Sequence, residues 1–139
     1  MCGIAGIFHY ETVKPVDPKR VERMTDALAH RGPDGSGVWT APGVGLGHRR
    51  LSIIDLDGSP QPMRSADGRA VIAFNGERYN HRELRRELAP AGPQFPTAGA
   101  TETILAAWQE RGVDCLFRPS GQFAFPPYDI VHLLSFPPP

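Results

Sequence analysis

Cys2-Gly3-Ile4-Ala5-Gly6-Ile7-Phe8 stands almost at the start of the chain and decides how the rest is read. The stretch is uncharged and apolar and includes two glycines, so it predicts a buried strand at the extreme N-terminus. The side chain at position two is small enough for Met1 to be removed after synthesis. A thiol and a free α-amine would then share one residue. Such an amine titrates at about 7.7–8.0, so near neutrality it can take the thiol proton, directly or through one water, and return it to a leaving amine. Gly3 and Gly6 beside the thiol permit close approach of a ligand or another backbone. The plainer alternative is a buried cysteine in a strand.

Working outward, Asp17 and Pro18 form a helix start. Val21, Met24 and Leu28 recur at three- and four-residue spacing and predict an amphipathic helix over 18–29. HRGPDGSG (30–37) is a turn-forming loop. Short strands are predicted at 37–40, 44–48 and 51–55, a loop at 57–62, and an apolar strand at 70–74 that runs directly into Asn75-Gly76-Glu77. Asn80 and Glu83 resemble a capping box with Asn in place of Ser or Thr, opening a short helix through Leu84 and Leu88. A further helix is predicted over 101–111, with Ile104, Leu105 and Trp108 on one face and Gly112 as its stop. Residues 122–125 form another strand. The remainder, FPPYDIVHLLSFPPP, holds five prolines and no clear period. Strands first, then helices among strands, indicate a layered α+β fold rather than alternating βαβ units.

Composition narrows the function classes. The 139 residues suit one domain with a sizeable core, and 15 basic residues balance 15 acidic ones. Neither nucleic acid nor membrane is therefore an expected partner. Cys2 and Cys115, the only cysteines, make neither a disulfide framework nor a zinc spacing, so no metal site is expected. No basic N-terminal segment precedes an apolar core, and no apolar run reaches the roughly 18 residues of a membrane span. A reducing cytoplasm is the expected location.

Three further motifs can carry chemistry. Asn75 and Gly76 offer a side-chain amide and a backbone N–H close together, a pair able to hold the oxyanion of an amide under attack. Asn-Gly is also the commonest dipeptide of a type I′ hairpin turn. In His48-Arg49-Arg50-Leu51-Ser52, an arginine could clamp a substrate carboxylate in bidentate fashion, or the pair could be a solvated strand edge. HRGPDG could cover a pocket, or be simply a turn.

Read together and in order, MCGIAGIF, HRGPDGSG, LGHRRLSIIDL, QPM, FNGERYNHRELRREL and GQFAF closely resemble the class II glutamine amidotransferase domain of asparagine synthetases. The resemblance covers roughly residues 1–125, with 126–139 a proline-rich divergent tail. It implies an N-terminal-nucleophile fold, a four-layer αββα sandwich, here incomplete at the C-terminus. It also implies hydrolysis of glutamine to glutamate and ammonia for asparagine synthesis. Cys2 then corresponds to the nucleophile and its amine to the base. Asn75 and Gly76 correspond to the oxyanion hole, and Arg50 to the grip on the glutamine α-carboxylate. The backbone of Leu51, Ser52, Ile53 and Ile54, with Glu77, corresponds to the rest of the substrate site. No cofactor is implied for this domain. ATP and Mg2+ belong to the ammonia-accepting synthetase domain, whose SGGxDS-type loop does not occur in this chain.

Departures from the family pattern are specific. Where the family carries T-x-S-D-T-E, with the aspartate on the glutamine α-ammonium, this chain reads Thr97-Ala98-Gly99-Ala100-Thr101-Glu102. Loss of one partner of a buried charge contact costs about 2–5 kcal/mol. Glu77 and Glu102 are the acids near enough in sequence to substitute. Arg78 replaces an aliphatic residue. After FAF, Pro126 and Pro127 would remove ladder donors from the next strand, and the strands that normally follow are missing, as in a fragment or truncated relative. Two alternatives remain: a degenerate, non-catalytic product, or an amidotransferase serving another acceptor such as a sugar phosphate.

Overall fold

Val44-Gly45-Leu46-Gly47-His48 alternates bulky side chains with glycine, a pattern that gives a strand two very different faces. In the computed structural model, which describes residues 2–9, 13–52, 60–78, 80–89, 99–117, 121–124 and 127–129, this stretch lies at the centre of the first sheet. Strand β1 (Gly3–Phe8), helix α1 (Pro18–Asp26), β2 (Gly35–Ala41) and β3 (Val44–Arg50) come first in the chain. The sheet is antiparallel in the order β1-β3-β2, with Gly3 opposite Arg49 and Phe8 opposite Val44.

The glycine face of β3 is where α1 lies. A Cβ on Gly45 would sit 2.6 Å from Val21 Cγ2, and one on Gly47 would collide with Thr25 Oγ1. Val21 and Thr25 are the buried residues of α1. The Thr25 hydroxyl donates to Val21 O at 2.7 Å, so its burial leaves no unsatisfied donor. Asp17 caps the helix by accepting from Lys19 N at 3.0 Å.

The bulky face of β3 meets a second sheet. Val44 and Leu46 pack on Val71 of β5 (Ala70–Ile72), with Trp39 and Ala41 at the border. Side chains alternate along β5, so Ala70 and Ile72 point away from Val71. With Phe74 they join Ile104 and Leu105 of helix α3 (Ala100–Arg111). The sequence of layers is α1, sheet, sheet, α3, the expected αββα sandwich. Full burial of a side chain such as Leu46 or Ile72 contributes about 1.5–3 kcal/mol.

The second sheet runs β4 (Met63–Arg64), β5, β8 (Pro127–Asp129). A separate ribbon pairs β6 (Asn75–Arg78) with β7 (Gly121–Ala124). Helix α2 (His81–Leu88) sends Leu84 and Leu88 against Ala106, Ala107 and Cys115, the last in a 3₁₀ helix over Gly112–Phe117.

Several expectations change. The first helix stops at Asp26, and residues 27–31 are turns. Leu51 and Ser52 lie beyond β3 in no strand, and the rest of the strand expected at 51–55 falls outside the described residues. Asn80 is the N-cap of α2, but its side chain makes no capping hydrogen bond. Strand β4 has only two residues, too few for any period to reveal. Pro127 lies in a strand after all. Among the described residues β8 is the outermost strand of its sheet, an edge position where a missing N–H is tolerated. Among the described residues, no helix is long and apolar enough to cross a membrane.

Candidate active site

The β1–β3 register brings Cys2 to the far end of β3. Its thiol is half-buried and free. Leu51 N–H donates to Cys2 Sγ at 3.3 Å, and Leu51 O lies 3.8 Å from the same sulfur. Arg31 Nε donates to Cys2 O at 3.2 Å. The nucleophile candidate is thus held from both sides, by the turn after α1 and by the residue after Arg50.

The HRGPDG segment braces this arrangement. Asp34 N–H donates to Arg50 O at 3.0 Å, and its carboxylate accepts from Ser52 N–H at 2.7 Å. A Cβ on Gly32 would lie 2.5 Å from Arg49 C and O, so only glycine allows the loop to pass this close to the strand. The loop is packed under the backbone of Arg50 to Ser52. Arg31 and Asp34, read from sequence as turn residues, are supports of the candidate site.

Strand alternation separates the two arginines. Arg49 shares the α1 face, where Nη2 pairs with Asp26 at 2.5 Å and Nε donates to Thr25 O at 3.2 Å. It is a structural tie and not half of a solvated pair. Arg50, half-buried, falls on the other face with His48.

His48 is 1% exposed. Its Nε2 lies 3.0 Å from Phe74 O. A carbonyl can only accept, so Nε2 carries the proton. Burial pushes the imidazole pKa down from 6.5, the Phe74 carbonyl opposes that shift, and the Arg50 cation adds to it. The neutral ring is therefore a fixed donor. On the opposite side of the same residue, Phe74 N–H donates to Gln61 Oε1, while Gln61 Nε2 donates to Thr101 Oγ1 at 3.2 Å.

Asn75 follows directly and begins β6, opposite Ala124, with Gly76 opposite Phe123. The type I′ turn is excluded, because it needs positive φ at both central residues and the positive-φ glycines among the described residues are Gly43, Gly68 and Gly112. Glu77 belongs to the same strand. Ile53 and Ile54 lie outside the described residues.

Ala100 is the first residue of α3 and half-buried. Arg85 of α2 donates to Gly99 O at 3.3 Å and pairs with Glu102 at 3.3 Å. Glu102, one of the two acids that could have replaced the missing carboxylate, is thus engaged with a cation. Neither His48 nor Gln61 stood out in the sequence as a site residue. Both lie in segments that carry the resemblance, His48 in LGHRRLSIIDL and Gln61 in QPM, and those matches were the usable signal. Among the described residues, no group of three or more His, Cys, Asp or Glu side chains could hold a metal ion.

Comparison with known proteins adds an independent line. A family model described as a glutamine amidotransferase domain matches residues 1–132. Asparagine synthetase [glutamine-hydrolyzing] 3 of Bacillus subtilis is 39% identical over 138 residues, which is 98% of this chain and 22% of that protein. Asparagine synthetase B [glutamine-hydrolyzing] of Escherichia coli is 40% identical over 129 residues, 93% of this chain and 23% of that protein. The chain therefore spans between a fifth and a quarter of the length of these relatives. Among solved structures, the glutamine phosphoribosylpyrophosphate amidotransferase of B. subtilis, complexed with ADP and GMP, superposes with a TM-score of 0.71 at 19% identity. The match covers 93% of this chain and 35% of that one, and it shows a shared fold.

Proposed function

Because this chain belongs to the glutamine amidotransferase domain family, we propose that it hydrolyses glutamine to glutamate and ammonia with Cys2 as nucleophile. The observation that carries the reading is the Cys2 thiol held against the Leu51 backbone, beside Arg50, at the end of β3. After loss of Met1, the α-amine of Cys2 takes the thiol proton and the sulfur attacks the side-chain amide carbon of glutamine. The amide oxygen becomes an oxyanion, for which the Asn75 side chain and the Gly76 N–H are the donors. Collapse of this intermediate breaks the C–N bond, and the amine returns its proton to the leaving ammonia. Water then cleaves the thioester, releasing glutamate and restoring the thiol. Arg50 pairs with the glutamine α-carboxylate, and the backbone of residues 51–54 with Glu77 completes the site.

Similarity to glutamine-hydrolysing asparagine synthetases supports asparagine synthesis as the use of the ammonia, on a synthetase domain as partner. ATP and Mg2+ enter only through that domain. The direct test is glutamate release from glutamine, with intact-mass measurement of the N-terminus alongside. Release that depends on a Cys2 terminus supports the reading. Soluble protein that retains Met1 would lack the base and end it.

One observation favours a second reading, weak recognition of glutamine. The start of α3 presents Ala100 and the Arg85 guanidinium where the family pattern has an acid. Ala100→Asp should then lower KM for glutamine about thirtyfold or more, the lower end of the roughly 2–5 kcal/mol expected for restoring a buried charge contact. An unchanged KM would show that another group holds the ammonium.

A further inference from the structure

Between β5, which ends at Ile72, and β6, which begins at Asn75, the chain passes from one sheet to another. Ala73 and Phe74 belong to neither ladder yet are 0% and 4% exposed. Buried backbone groups need partners, and at Phe74 a side chain reaches each of them: His48 Nε2–H donates to the carbonyl and Gln61 Oε1 accepts from the N–H. The Phe74 N–H lies in the peptide plane before its Cα and the carbonyl in the plane after it. Two soft torsions, φ and ψ of Phe74, relate those planes. Tethering one group in each plane restrains both torsions. The second plane contains the nitrogen and Cα of Asn75, so the restraint passes directly into the residue that follows. The tethers are themselves anchored, His48 in the buried face of β3 and Gln61 on Thr101 in the first turn of α3.

We propose that His48 and Gln61 are positioning residues that clamp Phe74 from both sides and thereby aim the Asn75 amide and the Gly76 N–H at the amide oxygen of glutamine. This rests on the reaction proposed above. The two residues touch no reacting atom. They replace, at the switch between sheets, the ladder bonds that would otherwise hold a strand in register.

The experiment uses the full chain and four substitutions. His48→Leu and Gln61→Met remove the tethers, while His48→Gln keeps a donor near the Nε2 position and Gln61→Glu keeps an acceptor. Three readouts are taken: steady-state glutamate release, affinity for an aldehyde analogue of glutamine, and alkylation of Cys2 by iodoacetamide. The aldehyde forms a hemithioacetal whose oxygen needs the same donors, and alkylation needs none of them. His48→Leu and Gln61→Met should lower kcat by about tenfold or more, leave KM within about twofold, and weaken the aldehyde by a factor similar to that in kcat. Alkylation should stay at the wild-type rate, and His48→Gln and Gln61→Glu should recover most of the loss. If His48→Leu fails to fold, Gln61→Met, in a half-buried loop, carries the comparison. Aldehyde affinity unchanged in the folded Leu or Met variants overturns the proposal. Alkylation that falls in step with kcat does too, because it signals general disorder of the site. A wild-type chain that binds the aldehyde but releases no glutamate overturns the hydrolysis reading alone, and the aldehyde series still decides the clamp. A wild type that does neither overturns both.

Discussion

Cys2 and Cys115 are one residue type in two environments. Cys115 is 3% exposed and packed among Leu84, Leu88, Ala106 and Ala107, where it acts as a small hydrophobe. Cys2 is half-buried beside the Leu51 N–H. A glutamine-mimicking electrophile should therefore label Cys2 and spare Cys115, as read by peptide mass mapping. Preferential labelling of Cys115 would remove Cys2 as the nucleophile. Asn75 is the second residue whose role can be measured. As an oxyanion donor it acts mainly in the transition state, so Asn75→Ala should lower kcat by about 10²–10³, or roughly 2.7–4 kcal/mol, with a much smaller change in KM. A variant with wild-type kcat would leave Asn75 as a strand residue only. Arg49 makes the contrasting case. Its ion pair with Asp26 ties β3 to α1, so its loss should show in stability before it shows in binding.

Among the elements, the contact of α1 with β3 depends most on particular residues. Gly45 and Gly47 are there because Val21 and Thr25 occupy the space that their Cβ atoms would need. Gly47→Ala should cost about 1–3 kcal/mol through overpacking, measured as a lower midpoint in urea unfolding. Thr25→Ala removes the hydroxyl that the new Cβ would strike. The double variant should therefore be more stable than the two separate costs predict, since residues in contact couple. Strict additivity would mean that the helix does not sit on Gly47. The same strand bears Arg49 and His48 on opposite faces, so a shift of α1 would reach the candidate site through the backbone of β3.

At the scale of the whole molecule, His48 links the two sheets, donating from β3 to the segment that leaves β5. Its pKa is lowered from 6.5 by burial, so below about pH 6.5 the unfolded chain takes up a proton that the folded chain refuses. Stability then falls as pH falls, by at most about 1.4 kcal/mol per pH unit, until the folded pKa is reached. Above pH 6.5 the ring is neutral in both states and contributes no slope. Urea melts between pH 5 and 8 should show this loss in the wild type and a shallower one in His48→Gln. Equal slopes in the two proteins would mean that His48 titrates alike folded and unfolded.

The sequence by itself determined the elements whose signals are local. The apolar run at 2–8, the Asp17-Pro18 helix start and the stop at Gly112 place strand or helix through backbone and side-chain preferences that act within a few residues, whereas Met24, expected on the apolar face of the first helix, is exposed and Leu28 lies beyond that helix. The layered α+β class followed from their order, whereas the candidates Cys2, Arg50, Asn75 and Gly76 came from the resemblance to the amidotransferase family, since each motif alone also had a plain structural reading. Tertiary structure alone decided the rest. Asn75-Gly76 has the local preference of a turn, but pairing with residues 123 and 124, nearly fifty positions away, holds it as a strand. Pro127 reads locally as a strand breaker, yet it finds an edge position opposite Ile72. His48 and Gln61 meet at Phe74 because two sheets and the start of α3 converge there. Such contacts join residues far apart in the chain, and their free energy comes from burial and mutual satisfaction of polar groups that exist only once the layers are assembled.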